Sequence, residues 1–190
     1  MSARVALVVL AAGRSLRYGS DKLRSLSDGE PMLLRALRLY AGLPFVSKTV
    51  VLSPDRIDFA DAAETLGYRV VINPRPKDGQ SQSVRLGVEA ARTAQPDGVL
   101  CSVSDQPYLT EGTVQTILER FASDPGRIVR PVANGIPGNP VLFPADCLEE
   151  LCLLTGDVGG SAVIRRHADR VTCIAAEERE LTDVDRKTEA

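Results

Sequence analysis

Apolar and polar positions follow two different periods along this chain, and the switches between them mark out its elements. Residues 5–10 (VALVVL) are an unbroken apolar run, the pattern of a strand buried on both faces of a parallel sheet. Residues 13–28 are loop-like. Helical spacing of Met32, Leu33, Ala36, Leu37 and Tyr40 then predicts a helix over 31–40. The pattern continues with strand 49–52, helix 58–66, strand 69–72 and helix 83–92, whose Val84, Gly87, Val88 and Ala91 share one face. Residues 98–103 (GVLCSV) predict a buried strand that runs directly into Asp105. A helix over 112–122, a strand over 127–131 and a Gly/Pro-rich loop over 134–140 follow. Helices over 146–154 and 161–167 and a strand over 171–175 complete the series. This alternation predicts a single-domain, doubly wound (Rossmann-like) α/β fold with a mostly parallel sheet, helices on both faces and right-handed crossovers. Such sheets bind ligands beyond the carboxyl ends of their strands, which directs attention to residues 11–22 and 104–107.

Composition refines this picture mainly by exclusion. The 190 residues suit one domain, and no internal repeat or linker divides them. A net charge of −2 gives no general attraction to nucleic acid or to a membrane surface, so any phosphate binding is local. No apolar run approaches the roughly 20 residues of a membrane span, and the first ten residues are too short for a signal peptide; a cytoplasmic location is expected. Cys101, Cys147, Cys152 and Cys173 are far apart, and His167 is the lone histidine, so no zinc cluster is expected and a Ser-His-Asp hydrolase is disfavoured. Cys101 and Cys173 read as core thiols. His167 reads as a solvated or capping residue at a helix end.

Candidate chemistry concentrates in residues 10–22, LAAGRSLRYGSDK. Small residues directly after a buried strand let backbone amides approach a ligand and form a nest for phosphate oxygens. Arg17 and Lys22 add fixed positive charge. The segment is neither a G-x-x-x-x-G-K-[ST] phosphate loop nor a G-x-G-x-x-G dinucleotide turn. Without other support, it reads equally as a strand-to-helix turn carrying two solvated basic residues.

The segment resembles L-A-A-G-x-S-x-R-x-G-x-x-K, the signature of the MobA-like nucleotidyltransferases, and within them the chain looks like the molybdenum cofactor cytidylyltransferases. Four further blocks stand in the family's order: GQSQSVRLG at 79–87, SDQP at 104–107, GNPV at 138–141 and LTGDVGG at 154–160. The resemblance implies Mg²⁺-dependent transfer of a nucleotidyl group from CTP to molybdenum-bearing molybdopterin, with a molybdenum hydroxylase or its maturation factor as a further partner. It implies catalytic roles for Arg17, Lys22 and Asp105. Leu10, Ala11, Ala12, Gly13, Arg14, Ser15, Lys22, Gly79, Ser81 and Ser83 would contact nucleotide. Asp105 and Asp185 would hold metal, with Asp183 as the alternative to Asp185. Gly138, Asn139, Pro140, Gly156, Asp157 and Gly159 would face the acceptor.

Some of these residues carry a second reading. Ser81 and Ser83 are also helix-capping types, Asp105 is also a turn carboxylate, and Arg85 is as readily a solvated helix residue as a phosphate ligand. The sequence departs from the family pattern at Arg24-Ser25, where apolar residues are usual, and at Arg186-Lys187, where Thr-Pro is usual ahead of a final helix. Rival functions are a guanylyltransferase or sugar-phosphate nucleotidyltransferase of the same fold, and a non-catalytic chaperone delivering molybdenum cofactor.

Overall fold

Strand β1 (Val5–Ala11) is central because nothing along it tolerates water: Val5 to Val9 are all buried. The computed structural model describes residues 3–13, 21–27 and 29–183. After β1 come a small hairpin, β2 (Leu26–Ser27) with β3 (Glu30–Pro31), and helix α1 (Met32–Leu39). The chain continues through β4 (Ser47–Leu52), a 3-10 turn Pro54–Phe59, α2 (Ala60–Thr65), β5 (Arg69–Ile72), α3 (Gln80–Arg92), β6 (Gly98–Val103) and α4 (Glu111–Ser123). The last part holds β7 (Ile128–Ala133), β8 (Ile136–Pro137), β9 (Val141–Pro144), α5 (Leu148–Cys152), α6 (Ser161–Arg166) and β10 (Val171–Ala175).

One eight-stranded sheet results, in the order β10-β7-β9-β6-β1-β4-β5, with β8 on β7. Strands β6, β1, β4 and β5 are parallel, while β9 runs antiparallel to β6 and to β7. The strand order reverses beside β1: β4 and β5 lie on one side of it and β6 on the other. The loops leaving β1 and β6 therefore part at a crevice, where such sheets take ligands. Alternate residues of the strands feed two apolar layers. Val5, Leu7 and Val9 pack with Leu33 and Leu37 of α1 and Ile117 and Phe121 of α4. Ala6 and Val8 pack with Val84 and Val88 of α3, Leu151 of α5 and Val163 of α6. Gly87 lets α3 lie directly on the sheet, since a methyl there would collide with the Val8 side chain.

The structure bears out the α/β class and corrects particular readings. Residues 141–144, unassigned in the pattern, form the antiparallel β9 that separates β6 from β7. Helix α3 starts at Gln80 rather than at 83, with Gly79 as its cap, so neither Ser81 nor Ser83 serves as N-cap. Cys173 is exposed on the edge strand β10 and is not a core thiol. Cys101 is half-buried in β6, and desolvation pushes its thiol up to about 12. His167 ends α6 with its Nε2 2.6 Å from Glu150 Oε1. No helix among the described residues is long and apolar enough to cross a membrane.

The chain after β10 returns to the site, docked through one buried carboxylate. Glu180, 6% exposed, accepts hydrogen bonds from the hydroxyls of Thr110 and Thr113 at 2.5 and 2.8 Å and from the amides of Thr110 and Glu177, both at 3.1 Å. Burial alone would raise its carboxyl, but these donors overcome that and hold it below the usual value. A depressed carboxylate contributes stability above its unfolded pKa of about 4.3, and the contribution disappears as pH falls through the lower folded value. Glu180→Gln, which loses the charge, is expected to cost about 1–3 kcal/mol at pH 7. The gap between variant and wild type should close in melts run at progressively lower pH below about 4. A gap independent of pH would show that the charge is not what docks this segment.

Candidate active site

The crevice beside β1 opens into a cleft of about 530 Å³. Leu10, Ala12 and Gly13 form its β1 side, Ser104 and Asp105 its β6 side, and Gly79, Gln80, Ser83 and Asp157 its far wall. The two ligand-facing loops are tied at their root, where the Ser104 hydroxyl donates to the Leu10 carbonyl at 3.0 Å. Lys22 reaches across the mouth, and its Nζ lies 2.7 Å from Asp105 Oδ2. The other carboxylate oxygen, Oδ1, is buried with no hydrogen-bond partner among the described residues. A buried, negatively charged oxygen without a donor is costly in isolation, and a hard divalent cation is the partner such an oxygen accepts.

Next to Asp105, the Gln106 side chain is buried and its amide Nε2 donates to the Leu181 carbonyl at 3.2 Å and to Asp183 Oδ1 at 2.9 Å. This tether brings the Asp183 carboxylate to the Asp105 turn. Asp185 lies outside the described residues, as do Arg14, Ser15 and Arg17. Among the described residues no group of three His, Cys, Asp or Glu side chains converges as a ready-made metal site. Asp105 and, through the Gln106 tether, Asp183 are the described carboxylates that could hold a metal here.

The glycine turn is fastened by a residue that sequence reading passes over. Arg56, 2% exposed, donates from Nη1 to the carbonyls of Ala11 at 2.5 Å and Gly13 at 2.9 Å. Its Nε and Nη2 grip the two oxygens of Asp21 at 2.9 and 2.7 Å. One planar fork thus holds residues on both sides of segment 14–20, a geometry that lysine does not reproduce. The departure at Arg24 has an anchoring role of its own. Its guanidinium binds both oxygens of Asp58 at 2.5 and 2.8 Å and lies 5.1 Å over the Phe59 ring, tying the loop exit to the turn that carries Arg56.

The remaining expected residues separate by place. Ala11 is buried behind the cleft, with its carbonyl given to Arg56. Ser83 faces the cleft, and its hydroxyl accepts from Asn73 Nδ2 at 2.9 Å. Ser81 is not part of the cleft lining; its hydroxyl donates to the Gly156 carbonyl at 2.6 Å. Gly79 makes this contact possible: its φ is +104°, and a Cβ would strike the Gly156–Asp157 backbone. Asp157 accepts from the Gln80 amide at 3.2 Å and lines the nucleotide-side cleft rather than a separate wall. Gly156 is thereby a fastening point, while Asn139 and Gly159 border a second, adjoining cavity. Gly138 sits against Leu181, and Pro140, after a cis peptide, borders neither cavity. Arg85 turns along its own helix to Gln82 and Glu89 and not toward the cleft.

This geometry can be set beside known proteins. The chain is 28% identical over 151 residues to the bifunctional enzyme IspD/IspF of Paramagnetospirillum magneticum, a match covering 77% of this chain and 39% of that protein. It thus spans well under half the length of that relative. Among solved structures it is similar to Rv0371c from Mycobacterium tuberculosis H37Rv, with a TM-score of 0.78, 22% identity and coverage of 98% and 94% of the two chains. Rv0371c has also been solved in complex with manganese. Another similar structure is CMP:2-keto-3-deoxy-manno-octonic acid synthetase complexed with CTP, with a TM-score of 0.71, 15% identity and coverage of 96% and 93%. These identities speak for the fold alone. The family assignment comes from residues 7–171, which match the model of the MobA-like NTP transferase domain, and the chain belongs to that family.

Proposed function

We propose that this protein is a Mg²⁺-dependent nucleotidyltransferase that moves a cytidylyl group from CTP to a phosphorylated acceptor, with molybdenum-bearing molybdopterin as the acceptor its motifs indicate. The observation that carries the reading is the Asp105 carboxylate: one oxygen is held by Lys22 and the other is buried, with no partner among the described residues, at the switch point of the sheet. The CTP complex of the similar CMP:2-keto-3-deoxy-manno-octonic acid synthetase supports a cytidine nucleotide as donor.

In the reaction, an oxygen of the acceptor phosphate attacks the α-phosphorus of CTP. A new P–O bond forms as the bond to the β-phosphate bridging oxygen breaks, and pyrophosphate leaves with that electron pair. The nucleophile is already anionic, so the protein's task is alignment and charge neutralisation. The backbone of Ala12 and Gly13, stiffened by Arg56, presents amides to the phosphates. Lys22 exchanges its Asp105 contact for triphosphate oxygens and balances charge on the departing pyrophosphate. Mg²⁺, held by Asp105 and the carboxylates of the Gln106-tethered segment, would supply Lewis-acid stabilisation of the charge that develops at phosphorus.

Ala12 supports the choice of base. It is 1% exposed, packs in the apolar layer beneath the cleft, and its Cβ restricts the turn more than glycine does, which fixes where the turn's amides and carbonyls point. Wild type is expected to prefer CTP over GTP by at least about tenfold in kcat/KM, roughly 1.4 kcal/mol. Ala12→Gly should narrow that preference without reversing it, since Gly79 and Ser83 border the same cleft. Steady-state pyrophosphate release with both nucleotides and one acceptor measures this. A wild-type preference for GTP would replace the cytidylyl reading with a guanylyl one.

A further inference from the structure

A second cavity, of about 210 Å³, lies between the sheet and helices α3, α5 and α6. It shares Leu10, Gln80 and Val103 with the nucleotide cleft, so the two spaces adjoin along β1 and β6. Its sheet wall carries one cation, Arg130 of β7, on the rung that passes through Val141 and Cys101.

Arg130 is placed unusually for a charged residue. Its Nη2 donates to the Gly138 carbonyl at 3.0 Å, which fixes the guanidinium plane. Its Nε is buried and has no hydrogen-bond partner among the described residues. Among the described residues no carboxylate pairs with it, and burial pulls the guanidinium below its ordinary value. Arg130 is half-buried, with one guanidinium nitrogen fixed and another left without a protein acceptor among the described residues, so it keeps donor capacity on the cavity side. The fork of a guanidinium fits a planar carboxylate or a phosphate face.

We propose that Arg130 binds an oxyanion, phosphate or carboxylate, of the acceptor inside this second cavity, apart from the triphosphate beside Lys22 and Asp105. The inference rests on the nucleotidyltransferase reading above and extends it: the acceptor is selected by a negative group seated under α3 and α6. Two strand spacings separate β7 from β6, about 10 Å, and Asp105 lies beyond the end of β6. Arg130 therefore acts on the body of the acceptor and is a specificity residue rather than part of the metal-bearing centre.

The test is thermal denaturation of wild type, Arg130→Met and Arg130→Lys, each saturated with CTP and Mg²⁺, then titrated with inorganic phosphate or, separately, sodium acetate. In wild type one of the anions is expected to add about 2–4 °C beyond the CTP rise, the shift mass action gives a few-fold above the dissociation constant. The active anion tells phosphate from carboxylate. Arg130→Met should lose this increment and keep the CTP rise. Arg130→Lys, which preserves charge and bulk if the methionine variant folds poorly, should show it reduced. An undiminished increment in the variants, or none with either anion in wild type, overturns the proposal. Loss of the CTP rise itself in wild type defeats the nucleotidyltransferase reading, and is seen before any anion is added.

Discussion

Asp105→Ala is expected to lower pyrophosphate release by at least about a thousandfold, roughly 4 kcal/mol of barrier, while the protein remains folded. The effect falls on chemistry because Oδ1 has no partner among the described residues to lose, and the Oδ2 contact to Lys22 is a partly exposed ion pair worth about 1 kcal/mol or less. Asp105→Asn should be nearly as severe. The amide keeps the shape, but it removes the charge that would hold Mg²⁺ and can turn a donor toward the Lys22 ammonium. A coupled pyrophosphate assay, read with melting temperatures of both variants, separates chemistry from folding. Activity of either variant within tenfold of wild type would remove Asp105 from the metal site.

Arg56→Ala is expected to do the opposite and damage stability and binding together. It leaves the carbonyls of Ala11 and Gly13 and the Asp21 carboxylate without their common donor in a nearly dry setting. Breaking a buried charge network of this kind costs about 3–5 kcal/mol. For a chain of this size that is a fall of about 6–20 °C in Tm. Because the same fork holds both sides of segment 14–20, the KM for CTP should rise at least about tenfold. Arg56→Lys should recover part of the stability and little of the KM, since one ammonium does not span the carbonyls and the carboxylate at once. Differential scanning calorimetry and steady-state kinetics check the two halves. A variant with wild-type KM and lowered Tm would make Arg56 a structural residue only.

Much of the scaffold was legible because its signals are local. The runs at 5–10 and 98–103 became β1 and β6, and the acid directly after the second run became the floor of the cleft. The spacing of Val84, Val88 and Ala91 gave the buried face of α3. What escaped depends on tertiary contact. Strand β9 is four residues long, preceded by Pro140 and ending in Pro144, so turn chemistry masked it. Arg56 follows Ser53-Pro54-Asp55, which reads as the solvated start of a helix, and nothing nearby in sequence shows that its guanidinium turns inward to residues 11, 13 and 21. Gln106 sits inside the D-Q-P turn, but its tether to Leu181 and Asp183 spans 75 and 77 residues of sequence. Ser81 carried the right residue type for a ligand contact, and the left-handed turn at Gly79 committed its hydroxyl to Gly156 instead.

The most direct measurement is thermal denaturation of wild type and Asp105→Asn with each of the four nucleoside triphosphates, with Mg²⁺ and with EDTA. CTP with Mg²⁺ at about a hundredfold over its dissociation constant is expected to stabilise wild type by about 2.7 kcal/mol, a rise of about 5–11 °C. GTP should give less, EDTA should remove most of the gain, and Asp105→Asn should resemble wild type in EDTA. If no nucleotide raises the melting temperature, or if the rise ignores both the metal and Asp105, the cleft beside β1 is not a metal-dependent nucleotidyltransferase site.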